Sequence, residues 1–366
     1  MWGFVLAMVL FGNNDDRGAR HVVPGAPMDV IGRHATTAEG VQFAAAGTTF
    51  RLRFSGSSFA IDLSDEERDG GYNRFSVRID GTEVLRFRTM PGVTYYALAA
   101  NLVEGELHTL ELIKDTEGIN GWSRISAVYA DSLYAPPPRR SKHIEFIGDS
   151  ITSVYGADVA SFPCAASTWF DGHRASDGYA AVLGRQLDAE VMLTSVSGMG
   201  IYRNWNTDAP VMTERYSGVW VNWDADQPLW TSDGRFDTDA VVIALGTNDF
   251  SAGDGTTPRA AFRPDRMLAG YENLIDQLYA TYGTETPILL VGSPIISDAQ
   301  RTVHEELFGQ LTATHDNMTW TGFEGRFTAG CNGHPSLSEQ HEMARQLLPA
   351  VARLLEGQVP RSGRSE

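Results

Sequence analysis

The chain is poor in positive charge and almost lacks lysine. Its 366 residues include 29 Lys and Arg against 46 Asp and Glu, which gives a formal net charge of -17, and Lys114 and Lys142 are the only lysines. Nucleic acids and anionic membranes bind clustered cationic side chains. The composition therefore argues against both as partners. No apolar run is long enough to cross a bilayer as a helix, so we also expect no membrane span.

Cysteine is equally scarce, with Cys164 and Cys331 as the only two. Two residues are too few for a disulfide framework, and their spacing is not that of a zinc site. Disulfides are uncommon outside exported proteins, so two unrelated thiols are the favoured interpretation. A pair stays possible, because each cysteine follows one of the motifs described below.

The N-terminus begins with the apolar run MWGFVLAMVLFG. The run has the length of the apolar part of an export signal, but basic residues before it and an Ala-x-Ala cleavage pattern are missing. We interpret residues 1–29 as a leader that contains the end of a truncated export signal. The corresponding location is extracellular or periplasmic.

Residues 30–134 show the pattern of an all-β domain. Apolar residues alternate with arginine over residues 50–54, which is the period of a strand with one buried face. Asp80-Gly81 stands between two such runs and is typical of a two-residue hairpin turn. Strands of this length and spacing predict a two-sheet sandwich of the jelly-roll type. Three consecutive prolines then mark residues 135–142 as a stiff linker.

Residues 143–358 alternate strands with helices, ahead of a flexible tail at 359–366. The strand AVVIAL at 240–245 is apolar throughout, which indicates burial on both faces in a parallel sheet covered by helices. The fold class is therefore α/β, with a three-layer α/β/α domain that follows the β-sandwich. In such open sheets, ligands bind beyond the carboxyl ends of the strands.

Four polar motifs follow predicted strands or precede the last helix. Gly148-Asp149-Ser150 can present a serine hydroxyl at the sheet edge, although it also makes an ordinary turn and helix cap. Gly198 can offer an unobstructed N–H to an oxyanion or can simply allow close packing. Asn248 can donate to the same oxyanion or close an Asx-turn. His334, in a Gly-His-Pro turn before the final helix, is well placed to act as a general base.

Taken together in chain order, these four motifs resemble those of the SGNH hydrolase superfamily, the GDSL lipases and esterases. The preceding β domain, with VIGRH, VRIDG and TEGINGW, makes the chain similar to family 2 carbohydrate esterases, the acetyl xylan esterase-like group. The resemblance implies that Ser150 is the nucleophile and His334 its base. It further implies oxyanion donors at Ser150 N–H, Gly198 N–H and the Asn248 side chain. Neither a metal nor a cofactor is expected.

The chain departs from the superfamily pattern near the histidine. Many members place an aspartate three residues before it and others two before, where this chain has Cys331 and Asn332. We expect a Ser-His dyad in which Asn332 or a main-chain carbonyl accepts the Nδ1 proton of His334. The missing acid is also the best support for a site that has lost its chemistry.

Aromatic residues between the second and third motifs are candidates for sugar binding. Aromatic faces stack on sugar rings and would favour carbohydrate over lipid, although they equally pack loops onto a sheet. The segment WFDGHRASDGY after the nucleophile is a further candidate. Asp149 is assigned first to shaping its turn and is included with the substrate-facing residues. These candidates are Trp205, Trp220, Trp223, Trp230 and Asp149.

Three functional hypotheses follow. The leading one is an esterase that removes O-acetyl groups from polysaccharides such as acetylated xylan or glucomannan, through an acetyl-serine intermediate. The second is an SGNH esterase for another small acyl ester. The third is a carbohydrate-binding protein that keeps the fold without turnover. The sequence leaves the oligomeric state open.

Overall fold

The computed structural model describes residues 18–66, 71–231, 236–256 and 258–357. The apolar run predicted as the end of an export signal, and the predicted C-terminal tail, lie outside these residues. Part of the range 1–29 that the sequence predicts as leader is folded. Ala19–Val22 forms a strand that pairs antiparallel with Ser123–Ala130, so these residues belong to the β domain.

The first domain consists of two antiparallel sheets, as the alternating pattern predicts. The strands are β1 (Ala19–Val22), β2 (Asp29–Ile31), β3 (His34–Thr37), β4 (Gly40–Phe43), β5 (Thr49–Ser55), β6 (Phe59–Asp65), β7 (Arg74–Ile79), β8 (Thr82–Arg88), β9 (Tyr95–Ala99), β10 (Leu107–Lys114), β11 (Ser123–Ala130) and β12 (Ser132–Tyr134). One sheet has the order β3-β4-β11-β6-β9, with β1 also paired to β11, and the other has the order β12-β5-β10-β7-β8, with β2 paired to β5.

The two sheets share one apolar core. Phe43 of β4 and Phe50 of β5 meet across it with ring centroids 4.6 Å apart. Asp80 and Gly81 join β7 to β8 with positive φ at both positions, as a type I′ turn requires. The hairpin predicted from this dipeptide is confirmed.

The second domain is built on a five-stranded parallel sheet. Its strands are β13 (Lys142–Gly148), β14 (Ala189–Ser195), β15 (Ala240–Ala244), β16 (Ile288–Val291) and β17 (Met318–Thr321), which lie in the order β14-β13-β15-β16-β17. Its helices are α1 (Tyr179–Leu187), α2 (Met212–Arg215), α3 (Pro264–Tyr282), α4 (Asp298–Thr314) and α5 (Leu337–Leu355).

Strand β15 explains why this sheet needs helices on both faces. Ala240 and Val242 lie in the apolar cluster that contains residues of α1 and α5, and Val241 and Ile243 lie in the cluster of α3 and α4. Burial of both faces accounts for the continuous apolar run. The three-layer α/β/α class is confirmed. Among the described residues, no helix has the length and apolar character needed to cross a membrane.

Buried ion pairs join the two domains. Arg33 of the β domain contacts Glu145 of β13 at 3.0 Å with both side chains fully buried. Arg51 contacts Asp29 of its own domain at 2.9 Å and Glu190 of β14 at 2.5 Å. Breaking a buried pair by removing one partner is strongly destabilising. We therefore expect the two domains to hold a fixed relative position.

Candidate active site

The nucleophile candidate lies in a tight turn at the end of β13. A Cβ on Gly148 would lie 2.0 Å from the Thr152 hydroxyl oxygen, so glycine is needed for the chain to fold back closely. The Ser153 N–H donates to the Asp149 carbonyl at 2.9 Å, and the Tyr155 N–H donates to the Ser150 carbonyl at 3.0 Å. These bonds fix Ser150 at the carboxyl edge of the sheet, as the motif predicts.

His334 lies directly beside this serine. Its Nε2 atom is 2.8 Å from Ser150 Oγ, although the two residues are 184 positions apart. His334 stands just ahead of α5, whose first turn is fixed by a reciprocal capping box between Ser336 and Glu339. Burial holds the pKa of His334 below its ordinary value, against the opposing effect of its bonds to main-chain oxygens. The imidazole is therefore neutral near pH 7 and can accept a proton.

The acceptor for His334 is the main chain and not a side chain. Nδ1 lies 3.2 Å from the carbonyl oxygens of both Cys331 and Asn332. The Asn332 side chain instead donates to the Tyr155 hydroxyl at 2.6 Å. Asn332 adopts φ of 53°, a left-handed conformation that asparagine tolerates well. Of the two acceptors left open by the sequence, the carbonyl is the one observed.

The two cysteines form a disulfide, so the interpretation as two unrelated thiols is wrong. Cys164 and Cys331 are bonded, with Cα atoms 5.4 Å apart. The bond is the alternative that the sequence leaves open, and it joins residues 167 positions apart. The bond joins the loop after the nucleophile to the loop that carries His334. The Cys331 N–H also donates to the Gly156 carbonyl at 2.8 Å, which draws the same two loops together.

Ser150 and Gly198 each supply a main-chain N–H at the edge of the site. Gly198 follows β14 with φ of 77°, a conformation that favours glycine, and its carbonyl accepts the Trp205 N–H at 2.8 Å. Within the described part of the chain, neither Ser150 N–H nor Gly198 N–H donates to a protein acceptor. Both residues line one cavity of about 780 Å³ that His334 and Asn248 also line.

Asn248 reaches the cavity, but its amide is shared with neighbouring groups. Nδ2 donates to the Met199 carbonyl at 3.0 Å and to Asp149 Oδ2 at 3.2 Å. Those two bonds hold the amide plane in a defined orientation. A bond to an oxyanion would take the place of one of them.

Asp149 does not line the cavity, so its inclusion among substrate-facing residues is wrong. Its side chain is fully buried, and burial raises its pKa to about 7. Oδ1 accepts the Ile151 N–H at 3.0 Å, and Oδ2 accepts from Asn248. Asp149 thus shapes the nucleophile turn and links it to Asn248. Asp249 is similarly buried and accepts the main-chain N–H groups of residues 201–203.

Two of the four tryptophans expected at the site are there. Trp205, which is 49% exposed, and Trp223 border the cavity. Trp220 is only 8% exposed and packs in an apolar cluster with Ala44. Trp230 lies against the Arg33 guanidinium, 4.4 Å from its ring centroid. Trp220 and Trp230 therefore serve packing, because the segment that carries them crosses from the cavity to the domain interface.

Trp169 and Ile119 also line the cavity. Trp169, in the segment named only as a further candidate, stacks on Tyr155 with ring centroids 3.8 Å apart, and Tyr155 also meets the His334 ring edge to face at 4.9 Å. Ile119 reaches the cavity from the β domain. Nothing in its local pattern distinguishes it from a core residue. Among the described residues, no group of three His, Cys, Asp or Glu side chains could hold a metal ion.

Comparison with known proteins agrees with this architecture. Residues 30–138 match the model of the carbohydrate esterase 2 N-terminal domain, and residues 146–319 match that of the GDSL-like lipase/acylhydrolase family. An acetylxylan esterase / glucomannan deacetylase of Cellvibrio japonicus is 25% identical over 309 residues, which are 82% of each chain. The cellulase/esterase CelE of Acetivibrio thermocellus is 27% identical over 322 residues, 85% of this chain and 37% of that protein.

Solved structures show the same two-domain arrangement. A family two carbohydrate esterase from Clostridium thermocellum, in complex with cellohexaose, superposes with a TM-score of 0.78 at 25% identity and covers 90% of this chain and 99% of its own. A family two carbohydrate esterase from Cellvibrio japonicus gives a TM-score of 0.80 at 18% identity, covering 93% and 99%. The two domains thus match, in chain order, the N-terminal domain of carbohydrate esterase family 2 and the GDSL-like hydrolases.

Proposed function

We propose that this protein is a serine esterase that removes O-acetyl groups from carbohydrate, with acetylated xylan or glucomannan as the substrate class. The observation that carries the proposal is the 2.8 Å contact between Ser150 Oγ and His334 Nε2 at a cavity walled by aromatic side chains. The printed activities of the relatives, acetylxylan esterase and glucomannan deacetylase, support the same substrate class.

The first chemical step is acyl transfer to the enzyme. Ser150 Oγ attacks the acetyl carbonyl carbon while its proton passes to His334 Nε2. The imidazolium that forms is held through Nδ1 by the carbonyl oxygens of Cys331 and Asn332. Two carbonyl dipoles stabilise this positive charge, in the role that a carboxylate fills in a three-residue triad.

The negative charge that develops on the acetyl oxygen needs positioned donors. Ser150 N–H and Gly198 N–H supply two of them, and neither has to break a protein hydrogen bond first. Asn248 supplies a third when its Nδ2 exchanges the longer of its two bonds, that to Asp149, for the oxyanion. The loss of one such donor typically costs about 10²–10³ in turnover.

The first step ends when His334 gives its proton to the sugar oxygen, the bond from that oxygen to the acetyl carbon breaks, and the deacetylated sugar leaves an acetyl-serine behind. The second step returns the enzyme to its starting state. A water molecule, deprotonated by His334, then attacks the acetyl-serine. Acetate leaves, and Ser150 regains its proton.

The cavity wall supports a sugar in the leaving-group position. Trp169, Trp205 and Trp223 offer aromatic faces, and Asn206 and Thr207 add groups that can hydrogen-bond hydroxyls at the same wall. A sugar ring combines apolar faces with a polar rim, so it matches this combination.

We further propose that the protein works outside the cytoplasm, where polysaccharide is met. The Cys164–Cys331 disulfide supports this location, because such bonds persist in oxidising compartments. Immunodetection in cell fractions tests it. Detection in the medium or periplasm is the expected result, and confinement to the cytoplasm would contradict it.

Acetate release from acetylated xylan and acetylated glucomannan tests the activity, with p-nitrophenyl esters from acetyl to octanoyl assayed in parallel. We expect release that is abolished in Ser150→Ala and His334→Ala and confined to short acyl chains. His315→Ala is the matched control, because His315 bonds Glu272 and Tyr279 away from the cavity. Retained polysaccharide binding with no turnover of any ester would instead identify a binding protein.

A further inference from the structure

A loop of the β domain enters the active site of the neighbouring domain. Residues 115–121 follow β10, and Ile119 borders the catalytic cavity. A Cβ on Gly118 would lie 2.7 Å from the Trp220 carbonyl oxygen, so only glycine fits this close approach. The β domain therefore contributes to the site itself.

Glu117 brings a fully buried carboxylate to the segment that carries Gly198. Oε2 accepts the Ser197 N–H at 2.7 Å, and Oε1 accepts the Ser197 hydroxyl. His173 Nε2 lies 3.0 Å from Oε1. Ser197 is thus bonded through both its main chain and its side chain, and the next N–H along the chain is that of Gly198.

The loop that presents Glu117 is itself held rigidly. The buried Lys114 Nζ donates to the main-chain oxygens of Thr116 and Glu117, at 2.8 and 3.1 Å. The Thr116 hydroxyl donates to the Asn73 side chain at 2.7 Å. The β domain therefore fixes the backbone from which the Glu117 side chain extends to its partners in the second domain.

We propose that Glu117 is a positioning residue for the oxyanion donor, through which the β domain sets the geometry of Gly198 N–H. This inference rests on the proposed esterase function. Burial of a carboxylate is costly unless the carboxylate is well hydrogen-bonded. The two bonds from Ser197 to Glu117 are therefore expected to hold Ser197, and with it the neighbouring Gly198, in one position. Release of Ser197 would let Gly198 N–H move, and displacement by about 1 Å can cost 10² in rate.

Asp115, two residues earlier, provides the contrast. It is equally buried on the same loop, but it accepts from the Ser76 hydroxyl at 2.6 Å and from the Ser176 N–H at 2.9 Å. Those bonds hold the domain interface and touch no residue of the cavity wall. Asp115→Asn is therefore a matched control for the loss of a buried carboxylate without an effect on Gly198.

The first test compares Glu117→Ala, Glu117→Gln and Asp115→Asn on a soluble acetyl ester, after circular dichroism and thermal unfolding establish that each variant is folded. We expect Glu117→Ala to lower kcat by about 10², with KM within about threefold of wild type. Glu117→Gln keeps one oxygen for the Ser197 N–H and should recover part of the loss. Asp115→Asn should lower Tm while kcat stays close to wild type.

Labelling of Ser150 by a fluorophosphonate separates this inference from the proposed function. Ser150 Oγ displaces fluoride from phosphorus, its proton passes to His334, and the oxyanion donors polarise the phosphoryl oxygen. Slower labelling of Glu117→Gln and Ser197→Ala than of wild type supports the inference even if acetate release fails. Equal labelling and equal kcat in folded variants overturn it, as does a wild type that is neither active nor labelled.

Discussion

His334 Nδ1 and the Asn332 carbonyl oxygen lie 3.2 Å apart, while the Asn332 side chain is bonded elsewhere. The group that orients the imidazole is therefore part of the backbone. A backbone acceptor cannot be removed by changing a side chain, but it can be displaced by changing the loop that carries it. Substitution at position 332 and release of the loop should therefore affect catalysis differently.

Asn332→Asp should not accelerate the enzyme. The side chain at 332 is bonded to the Tyr155 hydroxyl, so a carboxylate there would accept from Tyr155 and leave the Nδ1 contact unchanged. We expect kcat on a soluble acetyl ester within about threefold of wild type, because no transition-state contact is added. Asn332→Ala is the comparison variant. A rise of tenfold or more in Asn332→Asp would indicate that the side chain turns to His334 during catalysis.

The acid limb of the pH profile should lie below pH 6.5. Catalysis needs neutral His334, and burial lowers the pKa of this group from its ordinary value of 6.5. Activity is therefore full above the lowered pKa and falls as pH decreases through it. The limb of kcat/KM on a soluble ester reports this pKa in the free enzyme.

Asp149 is a second group whose titration could affect the acid limb of the pH profile, because burial raises its pKa to about 7. Asp149→Asn removes that titration and should leave the acid limb in place, even if it lowers the rate. An acid limb centred near pH 7 in wild type that disappears in this variant would assign the profile to Asp149 and contradict the role of His334.

How much was predictable from sequence depends on the range of the interactions. The strand-end positions of Ser150, Gly198 and Asn248 follow from local patterns, because a parallel sheet brings the carboxyl ends of its strands to one edge. For the group that accepts the Nδ1 proton of His334, the sequence leaves two alternatives, the Asn332 side chain and a main-chain carbonyl. Local backbone geometry decides between them, and the sequence does not determine that geometry. Trp220 and Trp230 could not be separated from Trp205 and Trp223, because an irregular segment has no period from which to assign faces.

Contacts between residues far apart in the chain are the hardest to predict from the sequence. The Cys164–Cys331 bond spans 167 residues, and two cysteines alone carry no information on their distance in space. Glu117 reaches Ser197 from another domain, 80 residues away. In the sequence, Glu117 stands in TEGINGW, a segment that carries the family resemblance but does not indicate this contact. Both contacts depend on how the two domains and their loops pack, which no local pattern encodes.

Reduction of the disulfide should destabilise the protein and slow catalysis. A cross-link that closes a loop of more than 100 residues is worth up to about 5 kcal/mol by chain entropy. The Cys331 carbonyl also accepts from His334 Nδ1, so release of this loop weakens the orientation of the base. We expect lower Tm and lower kcat in a phosphine reductant.

Cys164→Ser/Cys331→Ser is the control for direct effects of the reductant. It should have the properties of reduced wild type and should not respond to the phosphine. Thiol titration must accompany the assay, to show that the bond is open. If two thiols are titrated while Tm and kcat remain unchanged, the disulfide has no part in holding His334.

Alanine variants of Trp205 and Trp220 should differ in their effects on a large and a small substrate. Trp205 is exposed at the cavity wall, whereas Trp220 is packed against the β domain. Trp205→Ala should raise KM for acetylated xylan about threefold to tenfold, in line with the loss of an aromatic contact. It should change KM for p-nitrophenyl acetate little, because that ester has no sugar chain. Trp220→Ala should lower Tm and affect both substrates alike. Equal effects of Trp205→Ala on the two substrates would show that Trp205 shapes the cavity without contacting sugar.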